Sequence, residues 1–145
     1  IFAITILGLA TLFSCGGDDS PSNEEKLQAT WRLTAATADG TAMETPLRTN
    51  AALTLTVSAN GLSYGMSGFG NAVPTINGNT AGVFELNTAG TSATVDGGTT
   101  KSIVVTINQS PITGQENLVL TFGAAIGLHG DVAKGKSNFV YTFTK

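Results

Sequence analysis

From Leu53 to Ser58 the chain alternates strictly, with Leu53, Leu55 and Val57 set against Thr54, Thr56 and Ser58. Successive side chains of an extended strand point to opposite faces, so this pattern gives one apolar face and one hydroxyl-lined face. It does not fit the 3.6-residue period of an amphipathic helix. The same period of two returns in Ile103, Val105 and Ile107, in Leu118, Leu120 and Phe122, and in Phe139, Tyr141 and Phe143. A chain patterned this way must cover one face of a sheet, either with a second sheet or by curling the sheet on itself.

The segments between these strands are short and end in turn chemistry. Asp39-Gly40 closes the first strand, which is expected between Lys26 and Ala38 around the single Trp31, and Asn60-Gly61 marks a tight turn into a return strand from Leu62 to Ser67. Gly82 to Asn87 and Thr91 to Val95 form a further expected hairpin around Thr88-Ala89-Gly90, with Phe84 and Leu86 sharing a face opposite Val83 and Glu85. Ala72 to Ile76 contains Pro74, so as a strand it belongs at an edge or is irregular. Ahead of the first strand, Ser22 or Asn23 can cap a short helical turn from Glu24 to Gln28 with Glu25 in its first turn. Eight or nine short segments with regular turn signals predict an all-β domain, a small antiparallel barrel of about eight strands or else a β-sandwich. The last strand is amphipathic and is expected to pair with the first, which would remove sheet edges.

Composition narrows what such a domain can do. With 41% hydrophobic residues the chain is not compositionally disordered. Four of the ten acids, Asp18, Asp19, Glu24 and Glu25, cluster before Leu27, and from Leu27 onward six acids balance six bases. Nucleic-acid binding needs clustered Lys and Arg to release counterions, and this near-neutral domain offers no such footprint.

The N-terminal stretch is of a different kind. Ile1 to Phe13 is apolar apart from Thr5, Gly8 and Thr11, too short for the roughly 20 residues of a spanning helix but suited to a signal-peptide core. No Met and no basic residue precede it, so the sequence reads as truncated at its start, with a Lys or Arg expected upstream. The chain then switches at once to Gly16-Gly17-Asp18-Asp19-Ser20-Pro21-Ser22-Asn23, a composition that cannot pack and that predicts a flexible tether.

Leu12-Phe13-Ser14-Cys15 stands at the junction and resembles the lipobox of bacterial lipoproteins, with Leu12 at −3 and the small Ser14 at −1, Phe13 being an unusual middle residue. The resemblance implies that the Cys15 thiol carries diacylglycerol, that the leader is cut before it, and that its new amino group is open to acylation. Several acyl chains, at about 0.8 kcal/mol per buried methylene, hold a soluble domain on a membrane essentially permanently. The expected organisation is a signal peptide over 1–14, a lipidated cysteine and acidic tether over 15–25, and the β domain over 26–145. Gly16 next to the cysteine and the acids behind it look like small lipoproteins of the Bacteroidetes type, which implies an outer-membrane location on the periplasmic or cell-surface face.

A second resemblance covers nearly all of the domain. Ala29-Thr30-Trp31-Arg32-Leu33, the Asp39-Gly40 turn and the closing Phe139-Val140-Tyr141-Thr142-Phe143 look like the lipocalin-like domains of Bacteroidetes lipoproteins. It implies a barrel able to hold a small apolar ligand. Lipocalins proper carry Gly-x-Trp in the first strand with a basic residue packed on the Trp. Here Ala29 stands in the glycine position, and the sequence singles out no basic partner.

Other chemistry finds little support. His129 is the sole histidine, without the spaced Cys or His residues of a zinc site. No nucleophile-elbow sequence accompanies it, so no enzyme, metal or cofactor is expected. Asp96-Gly97-Gly98 and Asn77-Gly78-Asn79 lack the dense oxygen spacing of a calcium loop and read as turns. Gly68-Phe69-Gly70 lacks the third glycine of a dinucleotide fingerprint and reads as a bulge or bend. Trp31 is expected in the core rather than facing a ligand. The expected partners are therefore the membrane, through Cys15, and either a small apolar ligand or another envelope protein, which makes a structural or interaction module the competing function.

Overall fold

A computed structural model describes residues 20–43, 50–59, 61–69, 75–76, 80–96, 102–123 and 138–145. The leader, Cys15, His129, Asn77-Gly78-Asn79 and Gly97-Gly98 lie outside the described residues, as do most of the Ala72 to Ile76 segment and the stretch that follows Gly123.

The described residues form a short helix, α1 (Asn23–Leu27), and then nine antiparallel strands. They are β1 (Ala29–Ala38), β2 (Thr41–Ala42), β3 (Ala52–Ser58), β4 (Gly61–Ser67), β5 (Ala81–Leu86), β6 (Ser92–Asp96), β7 (Ser102–Gln109), β8 (Leu118–Gly123) and β9 (Asn138–Thr144), with a 3-10 turn at Pro111–Thr113. Each strand from β3 to β9 pairs with the next, and β1 pairs with both β3 and β9. Eight strands thus close into a barrel, with β2 as an added short strand on β1. Closure through β1–β9 is the pairing expected of the first and last strands, and it decides for the barrel over the sandwich. No sheet edge is left among these eight strands for another chain to extend.

One irregularity lets β1 serve both neighbours. Leu33 pairs with Phe143 but Ala35 pairs with Thr142, so Thr34 is an extra residue, and its hydroxyl donates to the Thr142 carbonyl at 3.2 Å. The bulge shifts the alternation, so that Trp31 and Leu33 point inward before it and Ala36 and Ala38 after it. A similar shift in β7 makes Asn108 the extra residue, and its side-chain oxygen accepts from the Thr121 hydroxyl at 2.8 Å. Bulges of this kind raise local twist and bend, which a small closed barrel requires.

The inward faces meet in a single core. Ala36 lies opposite Tyr141 and Ala38 opposite Phe139, small against large across the closing seam. Along β9 the rings continue inward: Phe122 and Phe139 stack at 5.5 Å, Phe122 meets Tyr141 edge-on at 5.0 Å, and Phe69 stacks on Tyr141 at 5.9 Å. Trp31, Leu53, Leu62, Phe84, Val95, Val105, Leu118, Leu120, Phe139, Tyr141 and Phe143 are fully buried. Each such side chain contributes on the order of 1.5–3 kcal/mol relative to exposure.

Both hairpins expected from sequence form, as β3–β4 and β5–β6, and a short one also joins β1 to β2. In β3–β4 the register ends at Ser58 opposite Gly61, and Gly61 opens β4 with φ +109°. The turn therefore sits one residue earlier than the Asn60-Gly61 dipeptide suggests. In β1–β2 the Asp39-Gly40 dipeptide is the two-residue loop itself, with φ of +47° and +78°. The resulting two-residue strand β2 was not anticipated.

Candidate functional site at the capped end

The barrel has two unlike ends. One carries α1, the β3–β4 and β5–β6 turns, the β7–β8 connection and Lys145; the Asp39-Gly40 turn lies at the other. The first of these is the capped end.

The capped end is built from local signals. Ser22 accepts from the Glu25 amide through its hydroxyl at 3.1 Å, and the Glu25 carboxylate accepts from the Ser22 amide at 2.7 Å, a reciprocal capping box. The helix so started lies partly within the 15–25 stretch expected as tether. Leu27 is fully buried, and its carbonyl accepts from the Trp31 indole at 2.9 Å. Gln28 accepts from the Val57 amide at 3.1 Å, and Asn23 donates to the Thr88 carbonyl at 3.4 Å. Beside the helix, the turn at Pro111–Thr113 is capped by Ser110, itself buried, and ends at Gly114 with φ +77°. A Cβ on Gly90 would meet Ile112 at 2.7 Å, which shows how tightly the β5–β6 turn is pressed on this cap.

Lys145 completes the end. Its ammonium lies 4.9 Å from the centroid of the buried Trp31 ring, an interaction of about 0.5–1 kcal/mol at an exposed site. This is the basic partner that the sequence left unassigned. It becomes legible once the first and last strands are paired: Arg32 lies opposite Thr144, which brings the next residue beside Trp31. Trp31 itself is a core residue, as expected.

Next to Lys145 a cleft of about 450 Å³ opens between Pro111, Gln115, Glu116, Asn117 and Thr144. Its lining offers one ammonium, one carboxylate, two amides and a hydroxyl. Such groups can hydrogen-bond a small polar molecule, but they form no nucleophile paired with an oriented base. Among the described residues no three His, Cys, Asp or Glu side chains come together as metal ligands.

The remaining candidates fall as follows. Gly68 has φ +75° and Phe69 is buried against Tyr141, so the part of Gly68-Phe69-Gly70 that is described is a bend serving the core. Asp96 ends β6, while Gly97 and Gly98 lie outside the described residues. Cys15 and His129 also lie outside, so the structure places neither against a partner.

The outer wall has its own character. At its described outward positions the wall is dressed mainly with hydroxyls and small side chains: Thr30 and Thr54 pair across strands at 3.2 Å, and charge is confined to Arg32 and Glu85. Val57 and Val104 are its large exposed apolar residues. Compared with known proteins, the chain matches no protein-family model and no curated protein.

Proposed function

We propose that this protein is a lipoprotein of the bacterial outer membrane, anchored through Cys15, whose barrel is a rigid interaction module rather than a carrier. Support for the module comes from the packing of the interior. Side chains contributed by every strand of the closed barrel are fully or almost fully buried, from Trp31 near the capped end to Phe139 near the other. Such residues touch neither bulk water nor a water-sized void. An eight-stranded barrel is just wide enough either to be filled by its own side chains or to hold one small ligand, and this burial favours the filled state. Support for the anchor comes from Leu12-Phe13-Ser14-Cys15 and the acidic stretch that follows.

Two experiments test the proposal. Labelled palmitate is expected in the wild-type protein and not in Cys15→Ala; no label in either, or label in both, overturns the anchor. Native mass spectrometry after gentle extraction is expected to give the mass of the acylated chain alone, while crosslinking in intact cells captures a recurrent protein partner. A small apolar molecule retained across preparations would instead favour the carrier reading, for which the closed barrel is the structural argument.

A further inference from the structure

We infer that the cleft beside Lys145 is a carbohydrate-binding site, taking a neutral hexose ring, free or as the end sugar of a glycan. The inference goes beyond the interaction-module reading and depends on neither the Cys15 anchor nor the packing of the barrel interior.

The cleft stands on a fixed loop. Ser110, buried just past β7, accepts the Thr113 and Gln115 amides on its carbonyl, each at 3.0 Å, and the Ile112 amide on its hydroxyl at 3.2 Å. Gly114 then turns the chain in the left-handed region, and Gln115, Glu116 and Asn117 follow from that anchored turn into β8. Leu118 lies opposite Phe143, which sets the preceding residue, Asn117, beside Thr144 across the β8–β9 seam. Lys145 rests over the Trp31 ring and lines the cleft from there.

What the lining presents decides the class of ligand. Gln115 and Asn117 each offer a carbonyl acceptor and an NH₂ donor, Thr144 a hydroxyl that does both, Glu116 acceptors and Lys145 donors. Among the described residues no hydrogen bond or ion pair engages the side chain of Gln115, Glu116 or Asn117, so their capacity is open to a ligand. One ammonium against one carboxylate leaves the lining without net charge. A sugar ring matches this set: each hydroxyl donates and accepts at once, adjacent hydroxyls can span one amide or carboxylate, and the C–H face can rest on the half-buried Pro111. The volume of about 450 Å³ lies within the roughly 300–1,000 Å³ of small-molecule sites.

Other classes fit less well. A phosphate group favours several converging charged donors, and Lys145 is alone and offset by Glu116. An apolar ligand would find only Pro111 to pack on. A peptide strand has no edge to join here, because β8 pairs with β7 and β9, and β9 with β8 and β1. A zwitterionic amino acid would use Glu116 and Lys145 but leave both amides and the hydroxyl idle, and exposed ion pairs contribute little.

The test titrates the full chain, labelled with nitrogen-15 and held in a sugar-free detergent, and follows its amide resonances. Methyl glycosides of glucose, galactose and mannose are each added to about 50 mM, above the millimolar dissociation constants of weak sites. At least one is expected to give saturable shifts centred on Gly114 to Asn117 and on Thr144 and Lys145. Gln115→Ala combined with Asn117→Ala, both at exposed positions, is expected to raise that dissociation constant about tenfold, as for two hydrogen bonds of ordinary strength, while the strand resonances stay in place. No saturable shift with any of the three glycosides overturns the inference, as does binding that the double variant keeps at full strength. Glycine or inorganic phosphate saturating the same amides where the glycosides do not overturns it in favour of an amino-acid or an anion site.

Discussion

Gly90 and Tyr141 show how much rests on single residues that alternation alone does not single out. Gly90 has φ +67°, and a Cβ there would meet Ile112 at 2.7 and 2.9 Å. Gly90→Ala therefore combines left-handed backbone strain with overpacking, and it is expected to lower stability by about 1–3 kcal/mol, read as a shift of the denaturant midpoint. The turn at Thr88-Ala89-Gly90 was legible from sequence; the reason that its glycine cannot change lies in a loop over twenty residues away. Tyr141 is buried among rings, and desolvation raises its hydroxyl pKa well above the ordinary 10.0. The folded protein then keeps a proton that the unfolded chain releases. This contribution is complete below about pH 10 and falls away as pH rises beyond it. The midpoint should drop between about pH 8 and about pH 11, and drop less in Tyr141→Phe, which keeps the ring and removes the titrating group.

Among the elements, α1 is the least expected to persist alone and the most dependent on its surroundings. Five residues are far below the length at which an isolated helix is stable in water. Ser22 was readable as one of two possible caps, with Glu25 in the first turn, but Leu27 inserting into the core and its carbonyl accepting from Trp31 were not. Ser22→Ala is expected to cost about 1 kcal/mol and to speed amide exchange at Glu25 and Lys26 while leaving the strands protected. Strand β1 gives the complementary lesson. Its pattern, with Trp31 and Leu33 followed by Ala36 and Ala38, breaks the period of two, and only its pairing with β9 identifies Thr34 as the bulge that reconciles the two halves. By contrast β3, β4, β7, β8 and β9 follow their apolar alternation over most of their length, Val57 at the end of β3 and the shift at Asn108 in β7 being the exceptions.

At the scale of the molecule, closure converts these faces into one buried interior. Phe84, on β5 between β4 and β6, is fully buried there. Phe84→Ala is expected to cost about 3–5 kcal/mol in a filled barrel, because the walls cannot collapse around the void. A much smaller loss in the ligand-free protein would mean that space already existed beside the ring, and would return weight to the carrier reading. The sequence by itself determined the strands, most of their turns and the all-β class, because period-two alternation and Gly and Asn or Asp turn chemistry are encoded within a few neighbouring residues. Only the tertiary structure decided between barrel and sandwich, paired Lys145 with Trp31, matched Ala36 and Ala38 to Tyr141 and Phe139, and gathered side chains from every strand of the barrel into one core. Each of those facts joins residues about a hundred positions apart or sums many side-chain volumes, and no local pattern carries such information.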